Sequence, residues 1–350
     1  MKSTVNIITM NTHPKMLKVE TGYLDHPHHY LPDDEYIDYR VYQNVPRWWR
    51  WIEKTLRLDL YLAYRAKAIA NQFDIIWANS EKVAVPLSFL NLKKPMVVIL
   101  QYPESPLRVL LIRMFGLAKH WSGVGIVSRG ARDFLESKLG IDRQKIFQYF
   151  AIKTDMFYPA AEPQHGCGHI FSIGVAKRDY TTLIEALAEL PGYQTDIHAS
   201  SKYGDLYNGR KIARVPDWIH FPGRIPEQEL LNRYQACRFA VVPLQPTLHS
   251  GAGVTSVLEA SACGKAVITT HTGGMDSYVV HGKTGLLVPP KDPRAMREAI
   301  RTLWENEDLA AEMGRAGRKF VEENYNHDQV FCEIVDFLHR ISKNGTQSPK

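Results

Sequence analysis

The sequence predicts an α/β protein built from two doubly wound parallel-sheet domains, and three observations carry that expectation. Short β-branched runs alternate with stretches of helical period, which is the rhythm of βαβ units around a parallel sheet. The rhythm is interrupted once and restarts at HIFSIG (169–174). The chain has 350 residues, and at roughly 150 residues per domain this length gives about two domains, each large enough for a core of its own. Hydrophobic residues make up 45% and charged residues 23%, an ordinary globular mixture that excludes a disordered chain, a collagen-like repeat or a coiled coil.

The first set runs VNIITM (5–10), a helical stretch (47–72), DIIWA (74–78), PMVVIL (95–100), a helix near 105–118 and VGIVS (124–128). DMFYPAAEPQHGCGH (155–169) follows, rich in Pro, Gly and Ala and without period. Such a segment links domains, so the boundary is expected near residue 160. The second set is HIFSIG, the helical TTLIEALAEL, TDIHAS (195–200), WIHF (218–221), FAVVPL (239–244), AVITT (266–270) and GLLV (285–288). Asp292 is placed as an N-cap with Pro293 at the first helical position, which starts a further helix. Helical stretches at 307–323 and 327–341 complete the chain before a polar, frayed tail, ISKNGTQSPK.

Lys and Arg number 43 against 37 Asp and Glu, a net charge of +6 that suits phosphate-bearing ligands or an anionic membrane surface. Cys167, Cys237, Cys263 and Cys332 are far apart and form neither a CxxC pair nor a zinc spacing; they read as buried, reduced thiols of a cytoplasmic protein. The apolar run at the N-terminus is too short for a signal-peptide core. The longest apolar stretch, Val109 to Ala118, is interrupted by Arg113 and is shorter than the ~18 residues that span a bilayer. Any membrane contact is therefore peripheral.

One segment has the composition for such a contact. VPRWWRWIEKTLRLDLYLAYRAKAI (45–69) mixes Trp48, Trp49 and Trp51 with Arg47, Arg50, Lys54, Arg57, Arg65 and Lys67. It reads either as a helix lying on an anionic bilayer through 47–67 or as a surface helix whose tryptophans pack on the domain. The three histidines of DHPHHY (25–30) are broken by Pro27 and lack acidic partners, so they read as a surface cluster and no metal site is expected. No nucleic-acid-binding module is recognisable.

In doubly wound sheets ligands sit at the carboxyl ends of the strands, and two facing domains predict a site in the cleft. The stretch 243–288 reads strand, small-residue loop, helix, strand, Gly-rich loop, strand. Ser250, Gly251, Ala252 and Gly253 let backbone pass close to a ligand, and a helix from about Val254 offers unpaired N–H groups to a phosphate. Glu259, one and a half turns on, is placed to take the hydroxyls of a ribose. A tight packing turn with a solvated Glu259 fits the same spacing. In SIGVAKRDYTTLIEAL (172–187), Lys177 and Arg178 follow the strand end at Gly174. They are either ordinary loop charges or a pair set to neutralise a diphosphate leaving group.

The succession SIG…KR…LIEAL, HFPGRIPEQELLNRYQACRFAVVPL and GVTSVLEASACGKAVITTHTGG…HGKTGLLVPPKDP over residues 170–300 resembles the C-terminal domain of retaining glycosyltransferases of family 4. SRGARDFL (128–135) is a further echo, and YNHDQVFCEIVDFL looks like that family's closing helix. The resemblance implies the GT-B fold: two Rossmann-like domains facing across a cleft, an acceptor domain over 1–160, a nucleotide-sugar domain over 161–325, and a C-terminal helix from 326 returning to the first. By this resemblance Glu259 binds the ribose, Arg178 faces the diphosphate with Lys177 beside it, Arg224 and Ile225 pack on the base, and Val254, Thr255 and Ser256 donate to a phosphate.

This chain also departs from the family pattern. Gly251 stands where the first glutamate of the family's Glu-x7-Glu motif falls, Val175 replaces an arginine, and Ser277 replaces the acidic residue of the Gly-rich loop, with Asp276 next to it. Where the family places a histidine after the strand MVVIL, this chain has Gln101, Tyr102, Pro103 and Glu104. Gln101 is expected to touch sugar or acceptor and Glu104 to polarise the acceptor hydroxyl; the alternative is a strand-to-helix loop without chemistry, its shape set by Pro103 and Pro106. His13 and Lys15 are expected on the acceptor side of the cleft.

The resemblance thus implies a retaining, metal-independent transfer of a sugar from a nucleotide-diphosphate sugar to a hydroxyl acceptor, with no cofactor. The alternatives are a non-catalytic nucleotide-sugar-binding subunit and an epimerase of the same architecture.

Overall fold

A computed structural model describes residues 15–19, 35–37, 41–42, 45–90, 92–101, 105–128, 130–161, 168–199, 215–223, 225–247 and 251–345. The chain divides into two units, Met1–Tyr149 with Val330–Lys350, and Phe150–Gln329.

The described part of the first unit runs β1 (Met16–Val19), β2 (Glu35–Ile37), α1 (Arg47–Leu56), α2 (Leu60–Ile69), β3 (Ile75–Ala78), α3 (Glu81–Phe89), β4 (Met96–Leu100), α4 (Pro106–Met114), β5 (Trp121–Ile126), α5 (Gly130–Leu139) and β6 (Ile146–Gln148). The strands pair in the order β2-β1-β3-β4-β5-β6, and every pairing is parallel. Every residue of β1, β3 and β4 is buried, as a sheet covered by helices on both faces requires. The single helical stretch expected over 47–72 is two helices. Arg57 takes a left-handed conformation at φ 54° and closes α1, and the chain re-enters helix at Leu60. The strand expected at 5–10 lies outside the described residues.

The second unit runs β7 (Ile170–Ile173), α6 (Tyr180–Leu187), β8 (Thr195–His198), β9 (Ile219–His220), α7 (Glu227–Ala236), β10 (Phe239–Val242), α8 (Val254–Ala262), β11 (Val267–Thr270), β12 (Gly285–Val288), α9 (Pro293–Glu305) and α10 (Glu307–Asn324). Its sheet is again parallel, in the order β12-β11-β10-β7-β8-β9. Asp292 caps α9, its carboxylate accepting from the Ala295 amide at 2.9 Å, and Pro293 opens the helix.

The unit boundary falls at Tyr149 and Phe150, about ten residues before the composition-based boundary near 160. The reason is that segment 150–157 is fastened to the second unit. Ile152 bridges to Asn326, and Arg318 of α10 donates to the carbonyls of Phe157 at 2.7 Å and Thr154 at 3.1 Å. The chain then leaves the second unit along α11 (His327–Gly345), whose residues from Val330 onward belong to the first. Phe337 of α11 packs on Phe147, ring centroids 5.1 Å apart and tilted by 40°, and fills the space that a side chain at Gly123 would occupy. Cys237 and Cys263 are buried, and burial pushes both thiols up to about 12. Cys332 is exposed, against expectation, on the outer side of α11, and Cys167 lies outside the described residues.

Gly314 sits inside α10, where alanine would ordinarily favour the helix by about 1 kcal/mol. Here a Cβ would overlap the Gly264 carbonyl, because α10 crosses directly over the turn that ends α8. Gly314→Ala is therefore expected to destabilise the protein by about 2 kcal/mol or more, read as a lower urea midpoint at unchanged m-value.

Candidate functional site

The second sheet has one point where its winding reverses. From β7 the chain proceeds to β8 on one side, while β10, its other neighbour, leads to β11 and β12 on the opposite side. Connections that part in this way leave a crevice at the carboxyl ends of the two strands. The loops after β7 and β10 line it.

Those two loops are laced together. Arg178 and Leu244 form an antiparallel bridge, the Asp179 amide donates to Pro243 at 3.0 Å, and the Gln245 amide donates to Lys177 at 2.8 Å. Lys177 carries the bend in a left-handed conformation, φ 55°, with its side chain exposed. Asp179 then caps α6, accepting from the amide and hydroxyl of Thr182.

Arg178 does not share the exposure of its neighbour. It is 8% exposed, and its guanidinium donates to the Ile173 carbonyl through Nε at 3.1 Å and Nη2 at 3.0 Å, to the Ala176 carbonyl at 3.1 Å and to the Ser256 hydroxyl at 2.9 Å. The expected pair of loop cations is thus one exposed ammonium and one buried clamp between the end of β7 and the start of α8. Burial lowers the Arg178 pKa from its ordinary value, opposed by the nearby Tyr180, Tyr234 and Glu259. The glycine at 174 follows from this packing. A Cβ there would overlap the guanidinium, and the backbone takes φ 115°, with the Tyr180 hydroxyl donating to its carbonyl at 2.7 Å.

Helix α8 starts at Gly253, φ 87°, with no side chain capping its amides. A Cβ at Gly253 would press on Leu244 and Val242, so the glycine lets the helix begin directly beside β10. Val254 is buried and its amide returns to the Gly251 carbonyl at 3.3 Å. Thr255 is exposed and Ser256 is held by Arg178. Glu259, half-buried, lies one turn beyond Thr255 on the same face. Its Oε2 accepts from the Tyr234 hydroxyl at 2.8 Å.

Tyr234 of α7 is fully buried, edge-on to Phe171 at 5.0 Å, and burial together with Glu259 raises its pKa well above the ordinary value. Sequence reasoning missed this residue, because nothing in its spacing points from α7 to a carboxylate on α8.

On the other side of β7, His198 ends β8. Its Nδ1 contacts the Gly223 carbonyl at 2.7 Å, which makes that nitrogen the donor, and its Nε2 is buried without a hydrogen-bond partner among the described residues. Protonating Nε2 would bury an unpaired N–H, and burial accordingly lowers the His198 pKa below its ordinary 6.5. The contact holds the turn after β9, where Ile225 packs against the core. In the Gly-rich loop after β11, Asp276 is exposed while Ser277 is buried, its carbonyl accepting from Tyr325.

In the first unit Gln101 follows β4. Its amide donates to Glu81 at 3.0 Å and its side chain to the Asn79 carbonyl at 2.8 Å. Glu81 is 1% exposed and pairs with the buried Arg108 at 3.3 Å. This ion pair beneath the loop was not foreseen from the sequence. Lys15 directly precedes β1 and stands at the amino edge of the sheet, opposite Gln101, with its ammonium over the Phe73 ring at 4.9 Å; the strand expected before it, 5–10, lies outside the described residues. His13, Glu104, Arg224, Ser250 and the histidines of 25–30 lie outside the described residues.

Two parallel-sheet α/β units, one with a crevice where the winding of its sheet reverses, define a doubly wound α/β protein. The comparisons narrow the class. Residues 175–320 match the family described as glycosyl transferases group 1. The chain is 34% identical over 148 residues to the D-rhamnosyltransferase WbpZ of Pseudomonas aeruginosa, covering 42% of this chain and 35% of that protein. It is 32% identical over 136 residues to the GDP-mannose-dependent alpha-(1-6)-phosphatidylinositol monomannoside mannosyltransferase of Mycobacterium tuberculosis, covering 37% and 35%. The chain thus spans about a third of the length of these relatives.

Among solved structures, sucrose-phosphate synthase from Thermosynechococcus elongatus superposes with a TM-score of 0.73 at 19% identity, over 94% of this chain and 89% of that one. Anabaena HepE in complex with UDP-glucose superposes with a TM-score of 0.71 at 16% identity, over 94% and 100%. The fold is GT-B.

Arg178→Met leaves the Ile173 and Ala176 carbonyls without their charged donor, and is expected to cost about 3 kcal/mol in urea unfolding. Because His198 stays neutral in the folded protein and titrates near 6.5 when unfolded, the unfolded chain binds the extra proton. Stability should therefore fall as pH drops below about 6.5, and His198→Gln should show a smaller loss between neutral and mildly acidic buffer in the same assay.

Proposed function

We propose that the protein is a glycosyltransferase that moves a sugar from a nucleotide-diphosphate sugar to a hydroxyl acceptor, with the donor held by the second unit and the acceptor by the first. The observation that carries this reading is the open start of α8 at Gly253, with the exposed Thr255 in its first turn and Glu259 one turn beyond Thr255 on the same face. The four residues from Thr255 to Glu259 rise about 6 Å, which suits a diphosphate at the Thr255 amide and a ribose at Glu259. The names of the relatives support it: the matched mycobacterial enzyme is GDP-mannose-dependent and HepE is described with UDP-glucose.

In this reading the amides of Thr255 and Ser256, the positive end of α8 and the Lys177 ammonium receive the leaving diphosphate, and these fixed charges act without a metal ion. Arg178 is a positioning residue that locks the helix start against β7 and adds its charge from beneath. Tyr234 orients Glu259 through Oε2, and the carboxylate faces the ribose. Ile225 lies toward the base, and Asp276 toward the sugar in place of the absent acid at Gly251. Gln101 contacts sugar or acceptor from the first unit. The anomeric configuration is retained, the leaving phosphate taking the acceptor's proton, as the resemblance to family 4 implies.

Incubation with radiolabelled UDP-, GDP- and ADP-sugars and a panel of hydroxyl acceptors should yield nucleoside diphosphate together with a new glycoside. Lys177→Ala is expected to lower kcat by about 100-fold or more, and Glu259→Gln to raise donor KM by about 10-fold or more. Tight donor binding with no turnover would instead establish a non-catalytic subunit, and isomerised donor without glycoside an epimerase.

A further inference from the structure

The first unit carries a surface whose chemistry the transfer reaction does not use. Between α1, α2 and α3 lies a groove of about 560 Å³, walled by the side chains of Val45, Trp49, Leu60, Tyr64, Pro86 and Phe89 among others, all apolar or aromatic. This volume falls within the ~300–1,000 Å³ of small-ligand sites. The apolar surface continues beyond it. Trp48 meets Trp49 edge-on at 5.4 Å on one side, and on the other Phe89 meets Phe115 at 5.1 Å. Phe115 leads onto the exposed face of α4 at Leu110 and Met114. Trp48 and Trp51 are 60% and 67% exposed. Isolated exposed hydrophobic residues are ordinary, but a continuous run that borders an open groove marks a binding surface.

Charge selects the occupant. Residues 45–72 contain two acids, Glu53 and Asp59, and both are buried, Glu53 accepting from the Tyr42 hydroxyl at 3.0 Å and the Tyr61 amide at 2.7 Å. The exposed charges of the segment are therefore all positive: Arg47, Arg50, Lys54, Arg57, Arg65 and Lys67. A groove whose exposed lining is almost wholly apolar, with few polar atoms at Trp49, Tyr61 and Tyr64, also selects against a peptide, whose backbone would lose water with little to replace it, whereas a hydrocarbon chain brings no such groups. Among the described residues no helix is long and apolar enough to cross a membrane.

We infer that the first unit docks peripherally on an anionic bilayer, with Trp48 and Trp51 at headgroup depth, the six cations over lipid phosphates, and one acyl chain of an anionic glycerolipid in the groove beside Trp49. This inference does not depend on what the second unit transfers, because it concerns binding alone.

Co-sedimentation of the full chain with vesicles of phosphatidylcholine, alone or mixed with phosphatidylglycerol, tests it. Partition should be at least about tenfold stronger on the anionic vesicles and fall by a similar factor in Lys54→Glu/Arg65→Glu. It should also fall in Trp48→Ser/Trp51→Ser, whose changes are on the surface and leave the core intact. In Trp48→Phe/Trp51→Phe, phosphatidylglycerol with brominated acyl chains should still quench tryptophan emission through Trp49, and Phe89→Glu should abolish that part of the quenching. Equal partition on both vesicle types would overturn the inference, as would binding unaffected by the tryptophan changes or an absence of quenching. A lipid-free dimer that dissociates in Trp51→Ser would assign the surface to a second copy of the chain instead.

Discussion

The arrangement of the second unit depends on one buried guanidinium. Arg178 joins the last carbonyl of β7, the turn that follows it and the first turn of α8, which the sequence separates by some eighty residues. Remove that charge and the carbonyl of Ile173 keeps only a long contact of 3.4 Å from the Ser256 hydroxyl, while the tie between β7 and the first turn of α8 is lost. Several neighbours are constrained by it. Gly174 cannot carry a side chain, Tyr180 is turned to bond the Gly174 carbonyl, and Ser256 faces inward. A positive charge held under a helix start adds to the helix dipole there, so a group evolved for packing also sets the electrostatic character of the crevice above it.

The first unit has a parallel device of opposite composition. Glu81 begins α3 and is buried with Arg108, and its second oxygen holds the backbone of Gln101. Both units thus place a buried charge under the loop that follows a central strand, although the residues and connections differ. Such charges are costly to desolvate, and removing either partner would leave an uncompensated charge in the interior.

Much of this was legible in the chain. Strands such as PMVVIL and FAVVPL are dense in β-branched residues, and the Asp292–Pro293 pair announces α9 directly. The glycines at 174 and 253 and the acid at 259 were readable because a turn and a helix start lie close together in sequence. Other features depend on contacts between distant segments. Lys177 and Arg178 look equivalent as adjacent cations, and only the position of the Ile173 carbonyl and Ser256 separates them into one exposed and one buried group. Tyr234, Glu81 and Arg108 acquire meaning through partners on other elements. Helix α3 went unread although Ser80 caps it, accepting from the Lys82 amide at 3.1 Å, since Pro86 in its interior argues against helix. Lys15 was expected beyond a strand end and stands at the amino end of β1, a placement that only the strand's own bounds disclose.

The second unit is inserted into the first. Its entry and exit run side by side, Ile152 accepting from the amide of His327 at 2.9 Å and donating to the Tyr325 carbonyl at 2.8 Å. Phe337, which covers β5 and β6 of the first unit, is encoded after the whole of the second. On the ribosome, then, the first unit waits. Its sheet is complete once Gln148 has emerged, yet the notch over Gly123 stays open until the inserted unit and the helix beyond it have been translated. The inserted unit, whose two ends meet, can close on itself during that interval, and the order of translation makes the domain encoded in the middle the first to be finished.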